Sequence, residues 1–185
     1  WLDTGLFALQ LYVPLVRIGK NGVTEATLGL RLDGWARDLR DVAVAAALTG
    51  PAYALVVHAL LRARGETFDL ALPGGFLERL AVDIFVVALA EELFFRGFLQ
   101  ERLSRLLPAR RRLFGAPFGA AVVLGSAVFA LAHFVGDYRP ARLATFFPSL
   151  LFGLLYARRQ SLVAPVAYHA FCNFLQDALV ASHQP

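Results

Sequence analysis

Long apolar runs broken by short polar stretches set the first expectations for this chain. Residues 6–16 are apolar but few, and Pro14 is placed to end or kink them. Residues 17–41 are polar and dotted with glycine, and read as loop plus a surface segment. Residues 42–61 predict a membrane helix with a break at Gly50-Pro51. Such breaks are tolerated in spans because neighbouring helices re-satisfy the freed backbone groups. A loop over 62–75 closes on Pro73-Gly74-Gly75. Residues 76–103 predict one long helix, followed by a basic stretch over 104–112. Residues 117–135 predict another span, rich in small side chains that permit close helix packing. Residues 143–157 fall short of the roughly 20 that cross a bilayer comfortably. Residues 161–181 predict the last span, with Pro165 in its first turns. The pattern therefore predicts an all-α fold, a polytopic transmembrane helical bundle. It forms a single membrane domain over 1–185, without internal repeats or a linker.

Composition sharpens that picture. The chain is 58% hydrophobic and only 17% charged, too apolar for an ordinary soluble domain. Its net charge of +4 invites a nucleic-acid partner. The positive residues, however, sit in loops between apolar runs, where membrane topology explains them better. The expected partners are the lipid bilayer and a membrane-associated protein or peptide substrate, with no nucleic acid. Lys and Arg concentrate around 17–40, 96–112 and 158–159, which places those loops in the cytoplasm and the C-terminus outside. The single cysteine, Cys172, excludes an intrachain disulfide framework and a Cys-rich zinc site. Methionine is absent, so the sequence is expected to start part-way into the native chain.

One stretch breaks the apolar rule. In 88–98, Glu91, Glu92 and Arg96 stand among Phe, Leu, Val and Ala. Ionisable groups at membrane depth are costly and by default functional. On a helix Glu92 and Arg96 are four apart and share a face, while Glu91 points about 100° away. One carboxylate can pair with the arginine, leaving the other to face something else. Later spans hold few polar residues: His133, then His169 and Asn173, four apart on one helical face.

The chemistry these groups allow is hydrolysis. A carboxylate in an apolar site can act as a general base toward water. Imidazole and amide groups can hold that water and stabilise an oxyanion. Glu with two His could instead ligate zinc. The HExxH sequence is absent and Asn is a poor zinc ligand, so no cofactor is expected, with zinc as the competing possibility.

Plainer readings apply to each residue. A lone histidine on an apolar face is more often a hydrogen-bonded packing residue, and His58 and His183 receive no role. Glu92–Arg96 reads as a buried ion pair shaping the site rather than as reactants. Phe129 reads as packing beside His133. Cys172 reads as a small buried hydrophobe rather than a nucleophile. Glu78 and Asp83 suit the N-terminal part of their helix.

Taken together, three patterns resemble one family. Glu91 to Arg96 resembles the EExxxR motif of the CAAX protease and bacteriocin-processing family of intramembrane proteases. Phe129 to His133 resembles its FxxxH motif, and His169 to Asn173 its HxxxN motif. They occur in the family's order, within roughly the C-terminal 110 residues. The resemblance implies that Glu91 activates the attacking water. It implies that His133, His169 and Asn173 position that water and stabilise the oxyanion, with Glu92 and Arg96 as the supporting pair. It assigns the catalytic core to residues 76–181 and leaves 1–75 as N-terminal spans and loop without a stated role. It further implies a glutamic-type multi-pass endopeptidase, with metalloprotease the older reading.

Family members cleave prenylated proteins, mature bacteriocins or confer immunity to them, or remove C-terminal anchors of exported proteins. The Arg- and Ala-rich composition looks bacterial, which favours the inner membrane and a sorting-type substrate. Two competing functions are a non-catalytic, immunity-like binding protein on the same scaffold and a proton-coupled transporter. The absence of repeated halves disfavours the second.

Overall fold

The computed structural model describes residues 2–20 and 22–184. Its helices are α1 (Leu2–Leu15), α2 (Trp35–Ala63), α3 (76–106), α4 (Ala120–Asp137), α5 (Phe146–Arg159) and α6 (Val163–Ala181). Among the described residues, strands are confined to two short antiparallel pairs: β1 (Thr67–Phe68) with β4 (His183–Gln184), and β2 (Arg111–Leu113) with β3 (Ala116–Phe118). The protein is an all-α helical bundle.

Several boundaries differ from the sequence expectation, each for a tertiary reason. Residues 35–41, expected as loop and surface segment, are the first two turns of α2. Their carboxylates are held by the turn between α5 and α6: Asp38 accepts from Ser161 Oγ at 2.9 Å and Asp41 from Arg159 Nε at 3.1 Å. Residues 104–106 extend α3, and 111–118 form a hairpin rather than an open basic loop. Its two-residue turn, Phe114-Gly115, has φ of 49° and 81°, the backbone sign that tight hairpins favour. The short run at 143–157 is lengthened by a 3₁₀ turn, Pro140–Thr145, so that Pro140–Arg159 reaches 20 residues.

Hydrogen bonds between elements fix how the helices run. Asp38–Ser161, Thr49–Tyr168 and His58–His183 make α2 parallel to α6. Glu92–His169 and Asp83–Asn173 make α3 antiparallel to α6. Arg96–Ser149 and Gln100–Gly153 make α3 parallel to α5. The N-terminus of α2, the C-termini of α3 and α5 and the N-terminus of α6 therefore share one end, and most Lys and Arg gather there.

The exterior is apolar. Leu48, Leu55, Phe85 and Phe147 are each more than two-thirds exposed. Trp35–Ala63, Ala120–Asp137 and Pro140–Arg159 are long and apolar enough to cross a membrane. An apolar belt around helices that satisfy their own backbone suits lipid. Inside lie two packed layers. Val23, Leu28, Leu93 and Leu162 join the 17–34 segment to α3 and α6. Phe95, Phe129, Phe152 and Tyr168 join α3, α4, α5 and α6. Gly97 lets the first layer close, because a Cβ there would meet the Leu28 carbonyl oxygen at 2.3 Å.

Candidate active site

The site begins with adjacency on α3. Neighbouring residues on a helix diverge by about 100°, so Glu91 and Glu92 face different partners. The helix around them is uneven, with π-helical turns over Asp83–Ala88 and Leu93–Gln100 flanking the α-helical turn Leu89–Glu92. Wider turns of this kind recur at functional sites.

Glu92 faces inward. It and Arg96 are both 0% exposed, with Arg96 Nε 2.9 Å from Glu92 Oε2. The arginine NH2 group donates to Ser149 Oγ at 2.9 Å, and its guanidinium lies 5.0 Å from the Phe129 ring centre and 5.6 Å from that of Phe152. Carboxylate, hydroxyl and two ring faces thus surround one buried cation, an arrangement that offsets part of its desolvation. Glu92 Oε1 lies 3.0 Å from His169 Nδ1. A carboxylate only accepts, so His169 Nδ1–H is the donor, and this bond sets the ring's tautomer.

Glu91 faces two imidazoles. Its Oε2 lies 3.8 Å from His133 Nε2 and 3.9 Å from His169 Nε2. His133 Nδ1 lies 3.1 Å from the Phe129 carbonyl and donates to it, as His169 Nδ1 donates to Glu92. Each ring therefore turns its Nε2 toward the same carboxylate oxygen, which is buried and makes no hydrogen bond within the protein. These separations are too long for direct hydrogen bonds and suit one water touching all three groups.

Aromatic contacts fix the ring planes. His133 packs on Phe129 with centres 4.3 Å apart, and His169 stacks on Phe152 at 4.7 Å. His133 lies one turn before the end of α4 at Asp137, and its Nε2 reaches to within 3.8 Å of Glu91 Oε2.

Asn173 stands one turn along α6 from His169, and its Nδ2 donates to Asp83 Oδ1 at 3.5 Å. Asp83, read from sequence as an acid suited to the N-terminal part of its helix, lies seven residues into α3 and is paired across to α6. Ser149 was missed altogether, since a serine in an apolar span carries no signal until its partner is known. His58 and His183, left without a role, bond each other at 3.0 Å. Among the described residues, no group of three or more His, Cys, Asp or Glu is gathered so as to hold a metal ion.

The sequence profile of the Rce1-like family, the type II CAAX prenyl endopeptidases, matches residues 73–175. The chain belongs to this family. The matched stretch spans α3, α4, α5 and most of α6, and so includes each of the side chains around Glu91 described above. No curated protein and no solved structure matches the chain. Membership in the Rce1-like family, together with the apolar helices, makes this a membrane protease of the CAAX endopeptidase type.

Proposed function

We propose that the chain is a glutamic-type intramembrane endopeptidase in which Glu91 activates the attacking water. The observation that carries this reading is the placement of Glu91 Oε2 opposite the Nε2 atoms of His133 and His169, at 3.8 and 3.9 Å. A water held there donates one proton to the carboxylate and the other to an imidazole nitrogen. Its lone pair is then directed away, at a substrate carbonyl. Glu91 takes the proton as the carbon–oxygen bond forms and returns it to the leaving amine. Asn173 supplies an amide donor for the developing oxyanion. Glu92, Arg96 and Phe129 hold the imidazoles and touch no reacting atom.

For substrate, we propose membrane-associated polypeptides cleaved near a C-terminal anchor. The family's prenyl substrates share that chemistry, a peptide bond next to an apolar group at the bilayer. The composition of this chain favours exported bacterial proteins among them, processed at the inner membrane.

The test compares wild type with Glu91→Gln, each co-expressed with exported proteins bearing apolar C-terminal segments, with C-termini read by mass spectrometry. Glu91→Gln retains shape without the base, so processing should fall by about 10²-fold or more while the protein still accumulates. Unchanged processing by that variant would remove Glu91 from the reaction. A Glu91→Gln variant that kept the full biological effect would favour the immunity-like binding reading.

A further inference from the structure

Hydrolysis inside a bundle requires a route for water, and the walls around Glu91 are unequal. Toward the arginine-rich end the site is closed by Phe95, Phe129 and Phe152, each about 2% exposed. On α3, Ala88 and Leu93 are buried in the other apolar layer. The seam between α3 and α6, followed away from the arginine-rich end, is different.

On α6, His169, Asn173 and Asp177 follow at four-residue spacing and form one stripe. On α3, Arg79, Asp83 and Glu91 face it. Three polar rungs cross the seam in order. His169 Nε2 lies 3.9 Å from Glu91 Oε2, Asn173 Nδ2 donates to Asp83 Oδ1 at 3.5 Å, and Arg79 NH1 lies 3.5 Å from Asp177 Oδ2. Tyr53 of α2 hydrogen-bonds Gln176 beside the last rung. Exposure rises along the series: the His169 side chain is 6% exposed, Asp177 45% and Arg79 59%.

Apolar side chains would pack this seam at lower cost than a half-buried Asp–Asn pair. Polar groups at membrane depth are usually retained where they line a hydrated path. At the inner end of the series is Glu91 Oε2, buried and without a hydrogen-bond partner.

We propose that the α3–α6 seam is a hydrophilic inlet admitting water to Glu91 from the end of the bundle opposite the arginine-rich loops. Asp83 is a positioning residue within it, fixing which way the Asn173 amide faces. The proposal deepens the hydrolytic reading above and rests on it for the purpose of the path.

The experiment reads water access without needing a substrate. In a Cys172→Ser background, single cysteines replace Asp83, Asn173, Phe85 and Arg110. Phe85 is 70% exposed on the apolar exterior of α3, and Arg110 marks the arginine-rich end. Right-side-out and inverted vesicles are treated with a charged, membrane-impermeant methanethiosulfonate. A thiol in water reacts as its thiolate, so the cysteines at 83 and 173 should label about tenfold or more faster than that at 85. They should also label from the side opposite the cysteine at 110. Labelling no faster than at 85, or from the same side as 110, overturns the inlet. If Asp83→Cys does not accumulate, Asn173→Cys reads the same seam. Adding Glu91→Gln should leave labelling unchanged, so failure of the catalytic reading is seen separately.

For the positioning role, Asp83→Leu should lower C-terminal processing on the order of tenfold or more at equal accumulation, and Asp83→Asn, which keeps an acceptor oxygen, should restore most of it. Equal activity of the two variants overturns that role.

Discussion

Replacing Glu92 by Gln should expose how much of the fold depends on one buried charge. The carboxylate and the Arg96 guanidinium are fully buried and 2.9 Å apart. Without the charge, Arg96 keeps the Ser149 hydroxyl and the faces of Phe129 and Phe152. Those remaining contacts contribute about 1.5–3 kcal/mol for a hydrogen bond to a charged group and roughly 0.5–2 kcal/mol per ring. They are present in both proteins and cannot offset the loss. An uncompensated buried charge typically costs about 3–5 kcal/mol, which is the expected destabilisation. Glu92→Gln with Arg96→Gln removes both charges. The glutamine at 92 still offers an oxygen to His169 Nδ1, and the residual cost should fall to about 1–2 kcal/mol, near that of the lost hydrogen bonds. The assay is denaturant unfolding of Glu92→Gln, Arg96→Gln, the double variant and wild type in detergent, alongside accumulation in membranes. A double variant whose loss equals the sum of the two singles would show no coupling between the residues, and the reasoning would fail.

Two further outcomes are expected. Gly97→Ala drives a Cβ to 2.3 Å from the Leu28 carbonyl oxygen and should destabilise by about 1–3 kcal/mol, whereas Gly74→Ala, with nothing within 4 Å, should be neutral in the same unfolding assay. Cleavage is expected to survive chelation, because the donor set is one Glu and two His without HExxH spacing. Activity lost to chelator and restored by zinc would instead assign Glu91, His133 and His169 to a metal.

What the sequence revealed follows from the range of each interaction. Apolar runs report helices directly, and the i,i+4 spacings of Glu92–Arg96 and His169–Asn173 report shared faces without any knowledge of the fold. Asp83–Asn173 and His58–His183 are 90 and 125 residues apart, and their pairing exists only once α6 lies between α3 and α2. The start of α2 was hidden for the same reason. Its first turns are polar, and their carboxylates are matched by Arg158, Arg159 and Ser161 more than a hundred residues later. The hairpin at 111–118 offered Gly115 as its single local signal. The π-helical turns of α3 offered none, since no side-chain pattern distinguishes them from a regular helix.

The geometry also alters how the two glutamates relate. From spacing alone they separate cleanly, one in an ion pair and one free to react. In the structure a single imidazole joins them: His169 Nδ1 lies 3.0 Å from Glu92 and Nε2 3.9 Å from Glu91. Arg96, Glu92, His169 and Glu91 thus form one chain of contacts, anchored at Ser149 and sandwiched by Phe129 and Phe152. In the proposed reaction, the charge at position 92 fixes the His169 tautomer and therefore which face its Nε2 offers to the water. A neutral amide at 92 can present its nitrogen as readily as its oxygen, so it no longer forces Nδ1–H. Restoring stability with the second substitution at 96 consequently restores accumulation without restoring that constraint. The Glu92→Gln, Arg96→Gln protein should therefore fold better than Glu92→Gln and still process substrate more slowly than wild type. That split between yield and rate separates a positioning role for Glu92 from a purely structural one.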